Sequence, residues 1–357
     1  MTAPPQPARR RAHARGLRRG LVVVGLLMAL AAAAWFRPGF TIPLGLFDGG
    51  RSIASLKPVT LGGVRQWVLI RGEDRSLPIL LWLHGGPGDP LMYLPRGWQR
   101  PLEHDFVVVQ WDRRGAGKSY DKTLDPRSIR TSREAADTVE LIGDLQKTLG
   151  QRRVILIGQD YGGYLGVAVA AARPDLVRAY VGVGQSACTP SDEHAIQDSW
   201  LKDRSAPVGD SRTYSAASRG GDWDRETAIK TYGGNTTKFP VQAAMPLVGA
   251  FSAEYTLPEA LRLPRSKAFV RDHLVRDGPA MPLAQSTPGL DVPVYFFIGE
   301  HDYIAPGLCV ERYAGVLRAP IKHVLWFDHS AHYPFLEEPT RFHEELLKAV
   351  AETTGRP

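Results

Sequence analysis

The sequence predicts an α/β fold: a mostly parallel sheet interrupted by a largely helical insertion. Three observations carry this. Short apolar, β-branched runs alternate with helix-length stretches, the order that builds parallel sheets. The rhythm stops over 185–289 and then resumes. Residues 154–157 form an apolar run followed by Gly158-Gln159-Asp160-Tyr161-Gly162 and a helical stretch at 163–172, a strand, a tight turn and a helix in immediate succession.

Taken in order, strands are expected at 66–71 and 78–83, with a central one at 106–111. A helix over 131–149 opens on Thr131-Ser132-Arg133-Glu134, which reads as a capping box. After the turn at 160 comes a strand at 179–183. The pattern then resumes with a strand at 294–298, a helix near 307–317, a strand at 323–327 and a closing helix over 339–353. A structureless loop as long as 185–289 is improbable, so this stretch is expected to be a lid domain over the carboxyl ends of the strands, where such sheets bind ligands. The chain thus divides into a basic N-terminal segment (1–37), a first core part (38–184), the lid (185–289) and a second core part (290–357). No internal repeat is present.

The chain has 357 residues, 43% of them hydrophobic, enough for one large domain with an insertion. Its formal charge of +7 is local. Seven arginines and no acid lie in 1–37, leaving 37 basic and 37 acidic residues in the remainder. Nothing global points to nucleic acid. The arginines precede an apolar run over 21–36, about 24 Å long as a helix against a hydrocarbon core of roughly 30 Å. Arg18-Arg19-Gly20-Leu21-Val22 loosely fits a twin-arginine signal, and Ala29-Leu30-Ala31 is one of several cleavage sites. A charged segment before an alanine-rich apolar run describes an export signal or a signal anchor. The N-terminal segment is expected to contact the membrane or the export machinery, with the catalytic domain exported or membrane-anchored outside the cytoplasm. Cys188 and Cys309 permit one disulfide there without demanding it.

The turn at 160 has the context of a nucleophile elbow, with small residues around a side chain on a tight strand-to-helix turn. Serine there would do acyl transfer. An aspartate is already ionised at neutral pH. Its attack on an acyl carbon would give a mixed anhydride, whereas attack on an sp3 carbon bearing a leaving group, in an epoxide or a haloalkane, gives an ordinary ester. The plain alternatives are that Asp160 caps the following helix or marks a degenerate site.

Other motifs converge on it. His84-Gly85-Gly86-Pro87-Gly88 follows a strand, and the N–H groups of Gly86 and Tyr161 would form an oxyanion hole. Asp302 lies just past a strand end and His332 after the last strand. Glu300 and Asp328 rival Asp302, and His329 rivals His332. Gly115-Ala116-Gly117-Lys118-Ser119 is not a phosphate-binding loop, because Asp112 stands where the first glycine is required. His329 and His332 have no partner at zinc-site spacing. No metal and no cofactor are expected, and the partner is a small-molecule substrate.

From about residue 55 onward the chain resembles the α/β-hydrolase superfamily, whose order of nucleophile, acid and histidine matches Asp160, Asp302 and His332. His84-Gly85-Gly86-Pro87-Gly88, Asp112-Arg113-Arg114-Gly115-Ala116-Gly117-Lys118-Ser119 and His332-Tyr333-Pro334-Phe335-Leu336-Glu337-Glu338-Pro339 resemble prolyl iminopeptidase-like hydrolases. Those carry serine at the elbow. Asp160 followed by an aromatic residue and glycine instead resembles epoxide hydrolases and haloalkane dehalogenases. The resemblance implies an alkyl-enzyme ester on Asp160, hydrolysed by water that His332, oriented by Asp302, deprotonates. It also implies lid tyrosines that protonate the epoxide oxygen, with Tyr214, Tyr232 and Tyr255 as candidates; Tyr255 also fits a packing role at a helix start. Dehalogenases use side-chain N–H donors for the halide, which Tyr161 and Gly86 lack. Epoxide opening is therefore the leading expectation. A serine-hydrolase relative turned pseudoenzyme or ligand-binding protein comes next, and a haloalkane dehalogenase after it.

Overall fold

The computed structural model describes residues 22–26, 28–29, 39–45, 48–206, 222–237, 248–249 and 252–353. Its centre is an eight-stranded sheet of order β1-β2-β4-β3-β5-β6-β7-β8. The strands are β1 (Ile53–Leu61), β2 (Val64–Gly72), β3 (Ile79–Leu83), β4 (Val107–Asp112), β5 (Val154–Gln159), β6 (Val177–Val183), β7 (Val294–Gly299) and β8 (Lys322–Phe327). β1 and β2 pair antiparallel, as do β2 and β4, and every other neighbouring pair is parallel.

The largely apolar runs of β3 to β7 follow from burial on both faces. In β3, Ile79, Leu81 and Leu83 join one core cluster with helices α1 (Thr131–Leu149), α2 (Tyr161–Ala172) and α7 (Gly307–Val316). Leu80 and Trp82 point the other way, against Trp98, Phe335 and the helix α8 (Pro339–Thr353). β1 was not foreseen. It is an edge strand with polar, half-exposed positions at Ser55, Lys57 and Thr60, so its apolar signal is weak. Its partner is set by Gly62-Gly63, both at positive φ, a two-residue hairpin turn.

Thr131–Glu134 is not a capping box. The residue before α1 is Arg130, with no side-chain cap. Thr131 instead meets the Tyr161 hydroxyl at 3.0 Å, and Glu134 is buried beside Arg113. The tertiary partners outcompete the local cap. A true capping box sits at Thr256 and Glu259, opening α5 (Leu257–Leu261).

Between β6 and β7 the described residues are helical, in α3 (Pro190–Ser205), α4 (Asp222–Thr231), α5 and α6 (Leu263–His273). Cys188 and Cys309 form a disulfide that ties the start of this insertion to α7. Among the described residues no helix is long and apolar enough to cross a membrane. Most of the basic segment and apolar run over 1–37 lies outside the described residues, as does Tyr214.

Candidate active site

Asp160 stands alone between the end of β5 and the start of α2, with φ 53° and ψ −121°. It is the single non-glycine residue at positive φ among the described residues. Such a conformation costs of order 1–3 kcal/mol and persists only where the surroundings enforce it. Here the enforcement is close packing of α2 on β3: a Cβ at Gly162 would lie 2.0 Å from the Leu83 carbonyl oxygen. The Asp160 N–H donates to the Val183 carbonyl at 3.0 Å, and its own carbonyl accepts from Gly163 N–H at 2.8 Å.

The carboxylate is held as well. Gly86 N–H donates to Asp160 Oδ2 at 2.7 Å. Gly86 has φ 118°, a conformation reserved for glycine. Its loop is fixed from behind, where Arg113 Nη1 donates to the His84 carbonyl at 2.6 Å and Gly85 N–H donates to Gln159 Oε1 at 2.9 Å. Burial pushes the Asp160 carboxyl up to about 6, although His332 and the Gly86 N–H favour its charge.

His332 Nδ1 meets Asp302 Oδ2 at 2.9 Å. The other Asp302 oxygen accepts the N–H groups of Ile304 and Ala305, each at 2.9 Å. Asp302 therefore accepts and orients, and the hydrogen-bonding pattern assigns the proton to Nδ1, leaving Nε2 for the cavity. Burial works against a charged imidazole, but the Asp302 and Asp160 carboxylates outweigh it and raise His332 to about 9. The rivals are placed elsewhere. Glu300 and His329 are exposed, and Asp328 faces Arg341 at 3.4 Å.

Asp160 and His332 share a cavity of about 400 Å³ whose opposite wall comes from the insertion. Glu193 of α3, Glu226 of α4 and Lys267 of α6 line it. Lys267 Nζ reaches Asp89 Oδ2 at 2.6 Å, packing α6 onto the loop after β3. Burial pushes Glu193 up to about 7, though its Ser186 hydrogen bond opposes the shift. Glu226 is also desolvated, yet the ammonium groups of Lys230 and Lys267 bring it below the usual range.

Two of the tyrosines expected to act as acid, Tyr232 and Tyr255, are not among the described residues that line this cavity. Tyr255 is fully buried and donates to Asp112, whose carboxyl burial pushes up to about 7. Tyr232 packs against the Trp200 cluster. Among the described residues the cavity's tyrosines are Tyr93 and Tyr333, which sequence reasoning missed. Tyr93 follows the His84–Gly88 loop by five positions, and that spacing from the loop was the available signal. The Tyr161 ring also faces away, with its hydroxyl on Thr131 and Arg113 over the ring at 5.2 Å, so only its backbone can serve the site. Lys118, in the stretch that mimics a phosphate loop, pairs with Glu259 at 2.6 Å. No cluster of three or more metal-ligating side chains occurs among the described residues.

Elbow, acid and histidine at strand ends, with a loop N–H on the elbow carboxylate, define a hydrolase site. A family profile described as alpha/beta hydrolase fold matches residues 78–339, and the chain belongs to that family. It is 30% identical over 312 residues to the "Probable aminopeptidase YbaC" of Bacillus subtilis (strain 168), covering 84% of this chain and 96% of that one. It is 32% identical over 115 residues to "Epoxide hydrolase 4" of Mus musculus, covering 32% of this chain and 30% of that one. Among solved structures, the proline iminopeptidase of Mycobacterium smegmatis superposes with a TM-score of 0.61 at 18% identity, covering 84% of this chain and 98% of that one.

Proposed function

We propose that this chain is a hydrolase that opens an epoxide through a covalent ester on Asp160. One observation carries the reading: Asp160, on a strained apex, has Oδ2 engaged by Gly86 N–H at 2.7 Å, so Oδ1 is the oxygen left for attack. In the first step Oδ1 bonds to an epoxide carbon, the ring C–O bond breaks, and the ring oxygen takes a proton. Tyr93 is the donor we assign, a buried phenol on the cavity wall with no hydrogen-bond partner among the described residues. Oδ2 has now become the ester carbonyl oxygen, already beside the N–H that will stabilise its negative charge.

In the second step His332 Nε2 takes a proton from water, and the resulting hydroxide attacks the ester carbon. The Tyr161 N–H at the start of α2 is the second donor to the oxyanion. Collapse expels the diol oxygen, which recovers the proton from His332, and the carboxylic acid left on Asp160 passes its proton to the Tyr93 phenolate, restoring both groups. Ester formation also prepares the base. It removes the charge of Asp160, one of the carboxylates that hold His332 near 9, so the imidazole pKa falls just when a neutral base is required. The inserted helices act as a lid. Residues 1–37 act as a signal anchor or export signal that places the domain outside the cytoplasm, a reading the Cys188–Cys309 disulfide supports.

The test is intact-mass spectrometry of His332→Gln incubated with styrene oxide, 1,2-epoxyhexane and 1-bromohexane. An adduct equal to a whole epoxide, absent in Asp160→Asn, is the expected result. An adduct lacking halide moves the assignment to dehalogenation, which the absence of tryptophan among the described cavity residues disfavours. No adduct from any probe rejects ester chemistry.

A second reading rests on Glu193 and Glu226, which join Asp89 and Asp160 around one cavity, together with the full-length likeness to a probable aminopeptidase. It makes the chain a binding protein for a cationic small molecule, with Asp160 in place of a serine. Gain of arylamidase activity in Asp160→Ser would favour it.

A further inference from the structure

Beyond the N-terminal run, the domain exposes large apolar side chains at Phe40, Ile42 and Leu261 as well as at Val275, Leu308, Val316 and Leu347. Phe40 and Ile42 are 48% and 44% exposed, and Leu261, at the end of α5, is 55% exposed. Phe40, Ile42 and Leu261 belong to one region. Phe40 N–H donates to the Ala253 carbonyl at 2.9 Å, Thr41 donates to Glu254 at 3.3 Å, and Arg71 donates to the Ile42 carbonyl at 2.7 Å. A Cβ at Gly39 would sit 2.9 Å from Lys118 Nζ, the ammonium that pairs with Glu259 of α5. Residues 39–42 are thus strapped beside α5, the short helix that ends at Leu261.

Charge adds to the pattern. Arg262, Arg265 and Lys122 are exposed around Leu261, and Asp121 is the acid that faces Lys122 and Arg262. Apolar side chains ringed by excess positive charge fit the surface of an anionic bilayer.

The tether decides the occupant. The apolar run ends at Phe36, and the chain is already strapped to the domain at Gly39, so Arg37 and Pro38 alone intervene. Three Cα steps of about 3.8 Å span at most about 11 Å. A run inserted up to Phe36 therefore cannot let the domain float. The surface nearest residue 39 has to lie in the headgroup region, and that surface carries Phe40 and Ile42, with α5 and its exposed Leu261 alongside.

We infer that the domain docks on the membrane through the face formed by Phe40, Ile42, Leu261, Arg262 and Arg265, with anionic phospholipid as the partner. The inference rests on membrane insertion of the N-terminal apolar run. It bears on access to the site, because α6 begins at this face and carries Lys267 and Arg271 of the cavity wall about 16 Å or less along its axis.

The test uses the full chain in phosphatidylcholine vesicles containing phosphatidylglycerol. An environment-sensitive fluorophore is placed at Val24→Cys, Leu261→Cys or Val316→Cys, with a doxyl-labelled lipid as quencher. Val316 lies on α7, which packs on β7 and β8 at the sheet edge opposite β1 and β2. Quenching at 24 and 261 but not at 316 is expected, with the signal at 261 lost in Arg262→Glu/Arg265→Glu or in high salt. Quenching at 24 alone overturns the docking and leaves the anchor standing. Quenching at neither position overturns both. Equal quenching at 261 and 316 overturns the assigned face.

Discussion

The two walls of the cavity are built by different rules. The floor comes from strand ends and the tight turns after them, where backbone geometry fixes each functional atom. Asp160 is aimed by its own φ and by Gly162, the Gly86 N–H by a glycine-only conformation, and Asp302 by the N–H groups two and three residues on. The opposite wall comes from α3, α4 and α6, whose polar side chains are oriented by other side chains rather than by their own backbone. Lys267 answers to Asp89, and Glu193 to Ser186 and the field of Asp160. Local geometry aims the elbow side chain, and tertiary context makes a pocket. The floor should therefore tolerate almost no substitution, while the opposite wall should tune rate and stability.

The largest effect is expected at the floor. If Asp160 is the nucleophile, Asp160→Asn, which keeps the shape, should lower turnover on the order of 10⁴-fold or more. The same change should stabilise the protein. The folded pKa of Asp160, about 6, lies above that of an unfolded aspartate, so the folded state holds this proton more tightly. Its favourable contribution is present below about pH 4 and is lost as the pH rises to about 6. Thermal melts should show Asp160→Asn above wild type by about 2–3 kcal/mol at pH 7–8, the gap closing toward pH 4. A gap that widens on acidification would contradict the burial argument. His332 runs the other way: its raised pKa contributes stability below about 6.5 that is lost as the pH climbs through about 9.

This contrast also explains what was legible in the sequence. The strands from β2 to β8, the turn at 160 and the His84–Gly88 loop could be read because each is a local pattern whose conformation a few neighbours dictate. Asp302 could be separated from Glu300 and Asp328 on position alone, since an acid just past β7 faces the loop after β8. β1 escaped notice because an edge strand need not be apolar. Thr131 and Glu134 were misread as a cap because their partners, Tyr161 and Arg113, come from other elements. Tyr255 was a candidate acid on residue type, but its partner Asp112 is 143 positions away in the chain. Side chains whose role is decided by a distant partner leave no periodic trace.

A smaller but still large effect is expected where the two walls are joined. The Cys188–Cys309 disulfide closes a loop of 121 residues between the start of the insertion and α7. Loop entropy assigns such a link about 4–5 kcal/mol against the unfolded chain. Cys188→Ala/Cys309→Ala should lower the denaturation midpoint accordingly while leaving the elbow intact. Loss of ester formation well below the melting temperature would show that the link also holds α3 in place over Asp160.

The finest test separates two tyrosines that residue type alone cannot. Tyr93 and Tyr255 stack edge to face with ring centroids 6.1 Å apart, and burial raises both well above the usual phenol range. Their hydroxyls differ. Tyr93 is a lining residue of the cavity shared by Asp160 and His332, whereas the Tyr255 hydroxyl is committed to Asp112. If Tyr93 protonates the leaving oxygen, Tyr93→Phe should slow ester formation on His332→Gln by about 10²-fold, the low end for general acid catalysis, with little change in stability. Tyr255→Phe should do the reverse. It leaves the buried Asp112 carboxylate short of a donor, costs about 1–3 kcal/mol in chemical denaturation and leaves the rate of adduct formation nearly unchanged. Equal kinetic effects from the two would mean that the acid lies elsewhere and that the pair acts only through packing.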